Sequence, residues 1–218
     1  AISRLLRAND RIAIPIRKKY EILRQHPINA IQKQLIVGSL LGDGCLYKDS
    51  KNSNFKLSLS QCKAQEQYFH HKIALMDPFI NGFRENVDKR GNSIMLAATT
   101  ICHQDFNMFG NMFYDENRKK FVPDNLDIYL TPLALAIWVQ DDGNLNAGVN
   151  MRIASMGFDK KDNEKLQRYL KTCFDLNAKV MEYRYKNKLY YQLTFNKVET
   201  QKLSDIIRPH VVPKMLYK

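Results

Sequence analysis

The chain contains two related stretches, Ile36-Val-Gly-Ser-Leu-Leu-Gly-Asp43-Gly44 and Leu135-Ala-Ile-Trp-Val-Gln-Asp-Asp142-Gly143. Each stretch is an apolar run with helix-forming character that ends in an aspartate followed by a glycine. Asp142 follows Asp43 by 99 positions, which is close to half of the 218-residue chain. This repetition predicts a pseudo-twofold protein in which two equivalent helices bring their carboxylates to the symmetry axis.

Small residues recur within both stretches, namely Gly38, Ser39, Gly42, Ala134 and Ala136. Because small side chains let helix backbones approach closely, we expect Asp43 and Asp142 to lie near each other. Two neighbouring carboxylates repel unless a cation lies between them. Mg²⁺ suits this role, since it is commonly held by one or two carboxylates together with phosphate and water. The alternative is that both Asp-Gly pairs are ordinary turns between a helix and a strand. Duplication of the pair in a basic chain favours the shared site.

The composition favours a polyanionic partner. Lysine and arginine together number 34 against 22 acidic residues, which gives a net charge of +12 and a pI near 9.5. That balance suits a nucleic acid or an anionic membrane surface. No apolar run is long enough to span a membrane, and we expect no membrane partner. The four cysteines, Cys45, Cys62, Cys102 and Cys173, form no C-x-x-C pair, so we expect free, mostly buried thiols and no structural zinc.

Hydrophobic periodicity divides the two halves of the chain in the same way. In the first half it predicts strands at 54–61, 83–88 and 93–99 and helices at 64–76 and 105–114. In the second half it predicts strands at 151–155, 179–185 and 189–195 and helices at 161–174 and 198–207. Together with the two motif helices, each half is predicted to run helix, two strands, helix, two strands, helix, and periodicity locates three of the four strands in each half. The predicted fold class is therefore α+β, with two pseudo-symmetric αββαββα repeats.

Alternation along these strands gives each sheet an apolar face, which helices would cover, and a polar face open to a ligand. The polar faces are predicted to carry Lys56, Ser58, Ser60, Arg184, Tyr190, Gln192 and Thr194. Arginine or lysine can read guanine, glutamine can read adenine, and hydroxyl groups can read either base. Further basic contacts to DNA are predicted on a strand and in two charged turns, at Arg84, Lys89, Arg90, Lys186 and Lys188. The alternative is an ordinary solvated sheet face.

The two motifs resemble the signature of the LAGLIDADG homing endonucleases, in the form that carries both motifs on one chain. The resemblance to the single-chain type extends to three flanking segments, Leu130-Thr-Pro-Leu-Ala-Leu-Ala-Ile-Trp138, Arg118-Lys-Lys120-Phe-Val-Pro123 and Val212-Pro-Lys-Met-Leu-Tyr-Lys218. It covers about residues 31–218. The second motif departs from the usual pattern, with Ile137 where a glycine is common, but the acidic positions are intact in both motifs.

The resemblance implies a DNA-binding saddle of antiparallel sheets and metal-dependent hydrolysis of both strands of a long asymmetric site, leaving short 3′ overhangs. The implied metal site comprises Asp43 and Asp142 with the adjacent Gly42 and Asp141, and the implied cofactor is Mg²⁺ or Mn²⁺, with Ca²⁺ supporting binding without cutting. Lys120 and Lys218 are nominated as the paired active-site lysines. Gln61 resembles the polar residue that orients water. Its counterpart should lie near Ser155 or Met156, where no glutamine occurs, so we expect asymmetric sites.

The duplicated motif sets the predicted domain organisation. We expect a basic N-terminal arm at 1–30 that lies along the DNA backbone, a first repeat at 31–123 and a second repeat at 124–218. Pro15 divides the arm into two possible short helices. Because both acids are supplied by one chain, the protein is predicted to be a monomer. The resemblance implies a mitochondrial or chloroplast origin, and a transit peptide is the alternative interpretation of the arm.

Two rival functions use the same fold. An intron maturase would bind structured intron RNA, alone or in addition to cutting DNA. A regulator would bind DNA sequence-specifically without cutting it. HNH and GIY-YIG nucleases fit poorly, because His70-His71 lies in a predicted helix.

Overall fold

The structure, a computed structural model, describes residues 15–87, 94–146 and 148–217. A leading helix, α1 (Ile16–Gln25), precedes the first repeat. That repeat comprises α2 (Ala30–Leu41), β1 (Cys45–Tyr47), β2 (Lys56–Cys62), α3 (Glu66–Met76), β3 (Ile80–Val87), β4 (Ile94–Thr100) and α4 (Asp105–Phe113). The second comprises α5 (Pro132–Asp142), β5 (Gly143–Asn146), β6 (Asn150–Ile153), α6 (Lys160–Phe174), β7 (Lys179–Tyr185), β8 (Lys188–Thr194) and α7 (Lys197–Ile207). The predicted αββαββα order and the α+β class are confirmed.

Each repeat forms one four-stranded antiparallel sheet. The strand orders are β1-β2-β4-β3 and β5-β6-β8-β7, so the two sheets have the same topology. The alternation of buried and half-exposed residues is clear in β2. Leu57 and Leu59 are fully buried, whereas Lys56, Ser58 and Ser60 are half-exposed. The short strands β1 and β5 directly follow the motif helices. They are too short for alternation to locate them in the sequence.

The motif helices α2 and α5 form the centre of the core. In both helices, apolar residues are buried around the whole circumference, as expected for helices packed on all sides. Phe106, Phe109 and Phe113 of α4 are fully buried and belong to the same core. No helix of the described residues is long and apolar enough to cross a membrane.

The described part of the N-terminal segment packs onto the first repeat. Leu23 of α1 is buried, and the Tyr20 hydroxyl donates a hydrogen bond to Asn81 Oδ1 at the start of β3. The backbone N–H of Ile28 donates to Asp105 Oδ2 at 2.9 Å. The helix predicted after Pro15 is therefore present, whereas the one predicted before it lies outside the described residues.

The cysteines depart in part from expectation. All four thiols are free, as predicted, but Cys45 is exposed and the other three are half-exposed. The expectation that they are mostly buried is wrong. The physical reason at Cys45 is the alternation of β1, which buries Leu46 and turns Cys45 to the open face.

Asn29 caps the first motif helix, and we expect Asn29→Ala to destabilise the protein by about 1 kcal/mol. Its side chain accepts from Gln32 N at 2.9 Å, while Gln32 Oε1 accepts from Asn29 N at 2.8 Å. The substitution leaves one helix N–H without this partner. Urea unfolding measures the effect, with the exposed α4 substitution Asn111→Ala as control. Equal stability of the two variants would contradict a stabilising cap.

Candidate active site

The two motif helices touch through their backbones. A β-carbon added at Gly38 would lie 2.4 Å from the carbonyl oxygen of Ala134 and 2.7 Å from Cβ of Ile137. A β-carbon at Gly42 would lie 2.6 Å from Cβ of Asp141. A β-carbon does not approach an atom to which it is not bonded this closely, so glycine is required at both positions. The predicted close approach of the motif helices is confirmed.

The acids at the helix ends occupy comparable positions and remain reachable from solvent. Helix α2 ends at Leu41 and is followed by Gly42, and the exposed Asp43 comes next. Asp142 is the last residue of α5 and is partly exposed. The glycine after each acid is crowded by its own helix: Gly44 N donates to Ser39 O at 2.7 Å, and a β-carbon at Gly143 would lie 2.4 Å from Val139 O. The Asp-Gly pairs therefore let the chain turn sharply from helix into strand.

Asp141 has a different environment from its neighbour Asp142. Its side chain is fully buried and accepts hydrogen bonds from residues of the first repeat. Lys72 Nζ lies 2.9 Å from Asp141 Oδ1, Gln61 Nε2 lies 2.7 Å from the same oxygen, and Asp43 N lies 3.3 Å from Asp141 Oδ2. This carboxylate therefore joins the second motif to the site of the first.

Gln61 points toward the helices rather than toward the open face of its sheet. It is buried near the end of β2, and its Nε2 also lies 3.5 Å from Asp43 Oδ2. In the second repeat the comparable position belongs to Ser155, just after β6. There Ala154 N donates to Asp142 O at 3.0 Å, and the Ser155 hydroxyl donates to Asn163 Oδ1 at 2.5 Å. The two sites are thus built with different polar residues.

Lys120 reaches the same region from the segment that follows α4. Its Nζ donates to Gly44 O at 2.9 Å, and Gly42 O lies 3.5 Å away. Burial lowers the pKa of Lys120, while the carboxylates of Asp142, Asp43 and Asp141 act in the opposite direction. A cation therefore lies beside the acidic cluster. Lys218, its nominated partner, lies outside the described residues.

A buried tyrosine also lies close to this cluster. Tyr68 of α3 is fully buried, and its hydroxyl donates to Ile137 O at 3.0 Å. Burial raises the pKa of Tyr68 well above its ordinary value, and the charges of Asp141, Asp43 and Asp142 add to the effect. Its phenol therefore stays protonated at neutral pH. The Lys72 ammonium lies 4.7 Å from the centre of its ring.

The open face of the first sheet carries most of the residues predicted for it. Lys56, Ser58 and Ser60 alternate with the buried residues of β2, and Arg84 lies on the same face because it pairs with Ala97, which also pairs with Ser60. Lys56 forms an ion pair with Asp49 at 2.5 Å and lies over the Tyr47 ring. Lys89 and Arg90 lie outside the described residues.

The open face of the second sheet carries Lys188, Tyr190, Gln192 and Thr194, which follow one another at every second position of β8. Sequence reasoning missed Arg152 on this face, where it pairs with Thr194 and with Asn144. The alternation of polar and apolar residues in Asn150-Met-Arg-Ile153 was the available signal.

Arg184 requires a correction. It pairs with Leu189, on the face opposite to Tyr190, so its predicted place on the polar face is wrong. The cause is the hairpin turn, which has two residues instead of three. Lys186 and Asn187 both have positive φ, at 47° and 62°, as the common two-residue hairpin turn requires. Lys186 lies in this turn, over the Tyr185 ring.

The oxygen atoms at this site suit a hard divalent cation that also binds oxygen atoms of a ligand. Asp43 and Asp142 offer accessible carboxylate oxygens, which such cations prefer. Within residues 15–87, 94–146 and 148–217, no cluster of three or more His, Cys, Asp or Glu side chains is arranged to hold a metal ion. Asp43 and Asp142 would supply part of the coordination sphere of such a cation, with water and phosphate oxygens completing it.

The fold and the site define an α+β protein whose two pseudo-symmetric halves share one acidic centre. Residues 33–203 match the LAGLIDADG DNA endonuclease family. The chain is 28% identical over 204 residues to the cytochrome b mRNA maturase bI2 of Saccharomyces cerevisiae, covering 88% of this chain but only 48% of that protein. It is 28% identical over 206 residues to the DNA endonuclease I-ChuI of Chlamydomonas applanata, covering 86% of this chain and 93% of that protein.

A solved structure gives the same assignment. The homing endonuclease I-WcaI bound to its DNA recognition sequence superposes with a TM-score of 0.79 at 25% identity, covering 94% of this chain and 92% of that one. The chain belongs to the LAGLIDADG DNA endonuclease family.

Proposed function

We propose that this protein is a monomeric homing endonuclease that cuts both strands of a long asymmetric DNA site and leaves short 3′ overhangs. The main support is the pair of accessible carboxylates, Asp43 and Asp142, at the ends of two helices in backbone contact. Each helix leads directly into a sheet with one polar, open face. The relation to I-WcaI, which was solved with its DNA recognition sequence, supports DNA as the ligand.

Asp43 and Asp142 are the residues we propose to hold divalent cations, with Mg²⁺ or Mn²⁺ supporting cutting and Ca²⁺ supporting binding alone. Bound there, such a cation would polarise the scissile phosphate, lower the pKa of the attacking water and stabilise the leaving oxygen. The carbonyl of Gly42 is proposed as a further oxygen donor to the cation. The oxygens of Asp141 already accept from Lys72, Gln61 and Asp43 N, so we assign it a supporting position.

Lys120 is proposed to stabilise the negative charge that builds up on the phosphate during hydrolysis. Its ammonium lies against the carbonyls of the Gly42–Gly44 turn, beside both acids. A fixed cation at that point stabilises the transition state more than the ground state, because the charge grows as water attacks. Lys218 is proposed to do the same in the second site, and Gln61 to orient the attacking water in the first.

We expect Lys120→Met to slow cutting by about 100-fold. In the wild type, cutting should also fall as pH rises through the lowered pKa of Lys120, below the ordinary lysine value of 10.5, because the ammonium is lost there. Single-turnover rates across pH measure both effects. Lys119→Met is the matched control, since that neighbouring side chain is exposed. An unchanged rate in Lys120→Met would exclude the proposed role.

The open sheet faces are proposed to bind DNA. We expect Arg152→Ala to weaken binding of the target about 10- to 100-fold, as loss of a base or phosphate contact does. Arg168→Ala, on the exposed side of α6, should have an effect below about twofold in the same assay. Affinity should fall steeply with salt, because lysine and arginine release counterions from DNA. Equal effects of the two substitutions would contradict the proposed binding face.

Selection from a randomised duplex library tests the function. The protein would be mixed with the library in Ca²⁺, the bound DNA recovered, and Mg²⁺ then added. We expect bound molecules to share one long asymmetric sequence and to be cut only after Mg²⁺ is added. A shared site that stays uncut would indicate a DNA-binding regulator.

A maturase function is the alternative favoured by a specific observation, the 28% identity to a cytochrome b mRNA maturase. Competition of intron RNA against target DNA in a filter-binding assay separates the two. RNA that displaces DNA at equal concentration would indicate a maturase, alone or combined with cutting. We also propose an organellar origin, in the mitochondrion or chloroplast.

A further inference from the structure

A lysine and an aspartate from different repeats form a fully buried ion pair next to the acidic centre. Lys72 Nζ and Asp141 Oδ1 are 2.9 Å apart, and both side chains have no solvent exposure. Burying two charges is costly, and a buried ion pair contributes little net stability to the fold. Stability alone therefore does not explain why this pair is present. The pair also touches two residues of the proposed site, Gln61 and Asp43.

Among the residues that the structure describes, the second repeat has no equivalent of this network. Lys72 is the seventh residue of α3 and follows Gln61 by 11 positions, and Leu166 is the seventh residue of α6 and follows Ser155 by the same number. Leu166 is fully buried and apolar. At the position of Asp141, the first motif has Gly42, which leaves room for the Asp141 side chain. One polar network therefore serves the first site alone.

This network fixes the orientation of the Gln61 amide. A carboxylate only accepts hydrogen bonds, so the end of Gln61 that faces Asp141 must be the NH₂ group. In the described part of the chain, Gln61 Nε2 makes both hydrogen bonds of this side chain, to Asp141 Oδ1 and Asp43 Oδ2. The carbonyl oxygen Oε1 is thereby kept as the acceptor for a ligand or a water molecule.

We propose that Lys72 and Asp141 are positioning residues for the first-repeat site. The Lys72 ammonium holds the Asp141 carboxylate in place through their buried ion pair. Asp141 then orients Gln61 so that Oε1 accepts a hydrogen bond from the attacking water, and it holds the backbone N–H of Asp43. Because the second repeat has Leu166 and Ser155 instead, the two DNA strands are cut at unequal rates. This inference rests on the proposed endonuclease function.

Strand-specific single-turnover cutting of the library-selected target tests the proposal, with each strand labelled separately. Gln61→Ala first identifies the strand that the first site cuts. The double variant Lys72→Met/Asp141→Asn, which removes both charges together, should slow that same strand by about 30-fold and the other by less than about threefold. Nicked DNA should then accumulate. Leu166→Met is the matched control and should leave the ratio of the two rates unchanged.

A role through Gln61 has a further signature that a purely structural role lacks. When Gln61→Ala is already present, adding Lys72→Met and Asp141→Asn should slow cutting of the first-site strand by less than about threefold more. The reason is that the contribution of Gln61 has already been lost. Equal slowing of both strands, or full additivity with Gln61→Ala, would overturn the proposal. If the double variant does not fold, the wild-type rates decide, and equal cutting of both strands would overturn it. A wild type that cuts neither strand would overturn the proposed function and this proposal with it.

Discussion

Asp43→Asn and Asp142→Asn are each expected to reduce metal-dependent cutting by about 10³-fold or more, which corresponds to about 4 kcal/mol of transition-state stabilisation. DNA affinity should change by less than about threefold, since base recognition is assigned to the sheets. Asparagine keeps the shape of the side chain but removes the charge that we propose holds the cation. Both acids are accessible, so neither substitution leaves a cavity.

Asp205→Asn, on the exposed side of α7, is the matched control and should cut like the wild type. Cutting is measured under single-turnover conditions in Mg²⁺, and affinity by titration in Ca²⁺. Loss of DNA binding as the main effect would show that the two acids are structural and would exclude them from catalysis.

Gly38→Ala is expected to give the largest loss of stability among the single substitutions considered, about 2 kcal/mol or more. Alanine gains up to about 1 kcal/mol over glycine from helix propensity. The added carbon would lie 2.4 Å from the Ala134 carbonyl oxygen, which belongs to a helix backbone and cannot rotate away. The two helices must therefore separate, and Asp43 and Asp142 separate with them.

For a chain of this length, the loss corresponds to a fall in Tm of about 4–8 °C. We also expect cutting at a permissive temperature to slow by about 10-fold or more, since small displacements of reacting groups are costly. Gly157→Ala is the control, because a β-carbon there meets no atom within 4 Å. If Gly38→Ala matched the wild type in Tm, the backbone contact would not be essential.

The site shows where sequence reasoning succeeds and where it ends. The motif helices were predictable because their apolar runs, small residues and Asp-Gly ends are local signals. Alternation located β2 for the same reason. Arg184 was assigned to the wrong face because the turn was predicted to have three residues. A two-residue turn pairs Arg184 with Leu189, and one step of register reverses the face.

Local sequence patterns could not predict the Lys72–Asp141 ion pair, because its two residues come from different repeats. The local signal was a lysine at helical spacing from two apolar residues, Tyr68 and Met76. Its partner depends on how α3 lies relative to the end of α5, which no local pattern in the sequence specifies. Long-range polar contacts of this kind decide the asymmetry of the two sites.

Mapping both strand ends on the library-selected site tests the central claim most directly. We predict that wild-type protein in Mg²⁺ makes one cut on each strand, offset to leave a short 3′ overhang, and that both Asp43→Asn and Asp142→Asn lose these cuts while still binding. Cutting that is unchanged in both variants, or that persists without a divalent metal, would contradict the assignment of the two helix-end carboxylates as the catalytic centre.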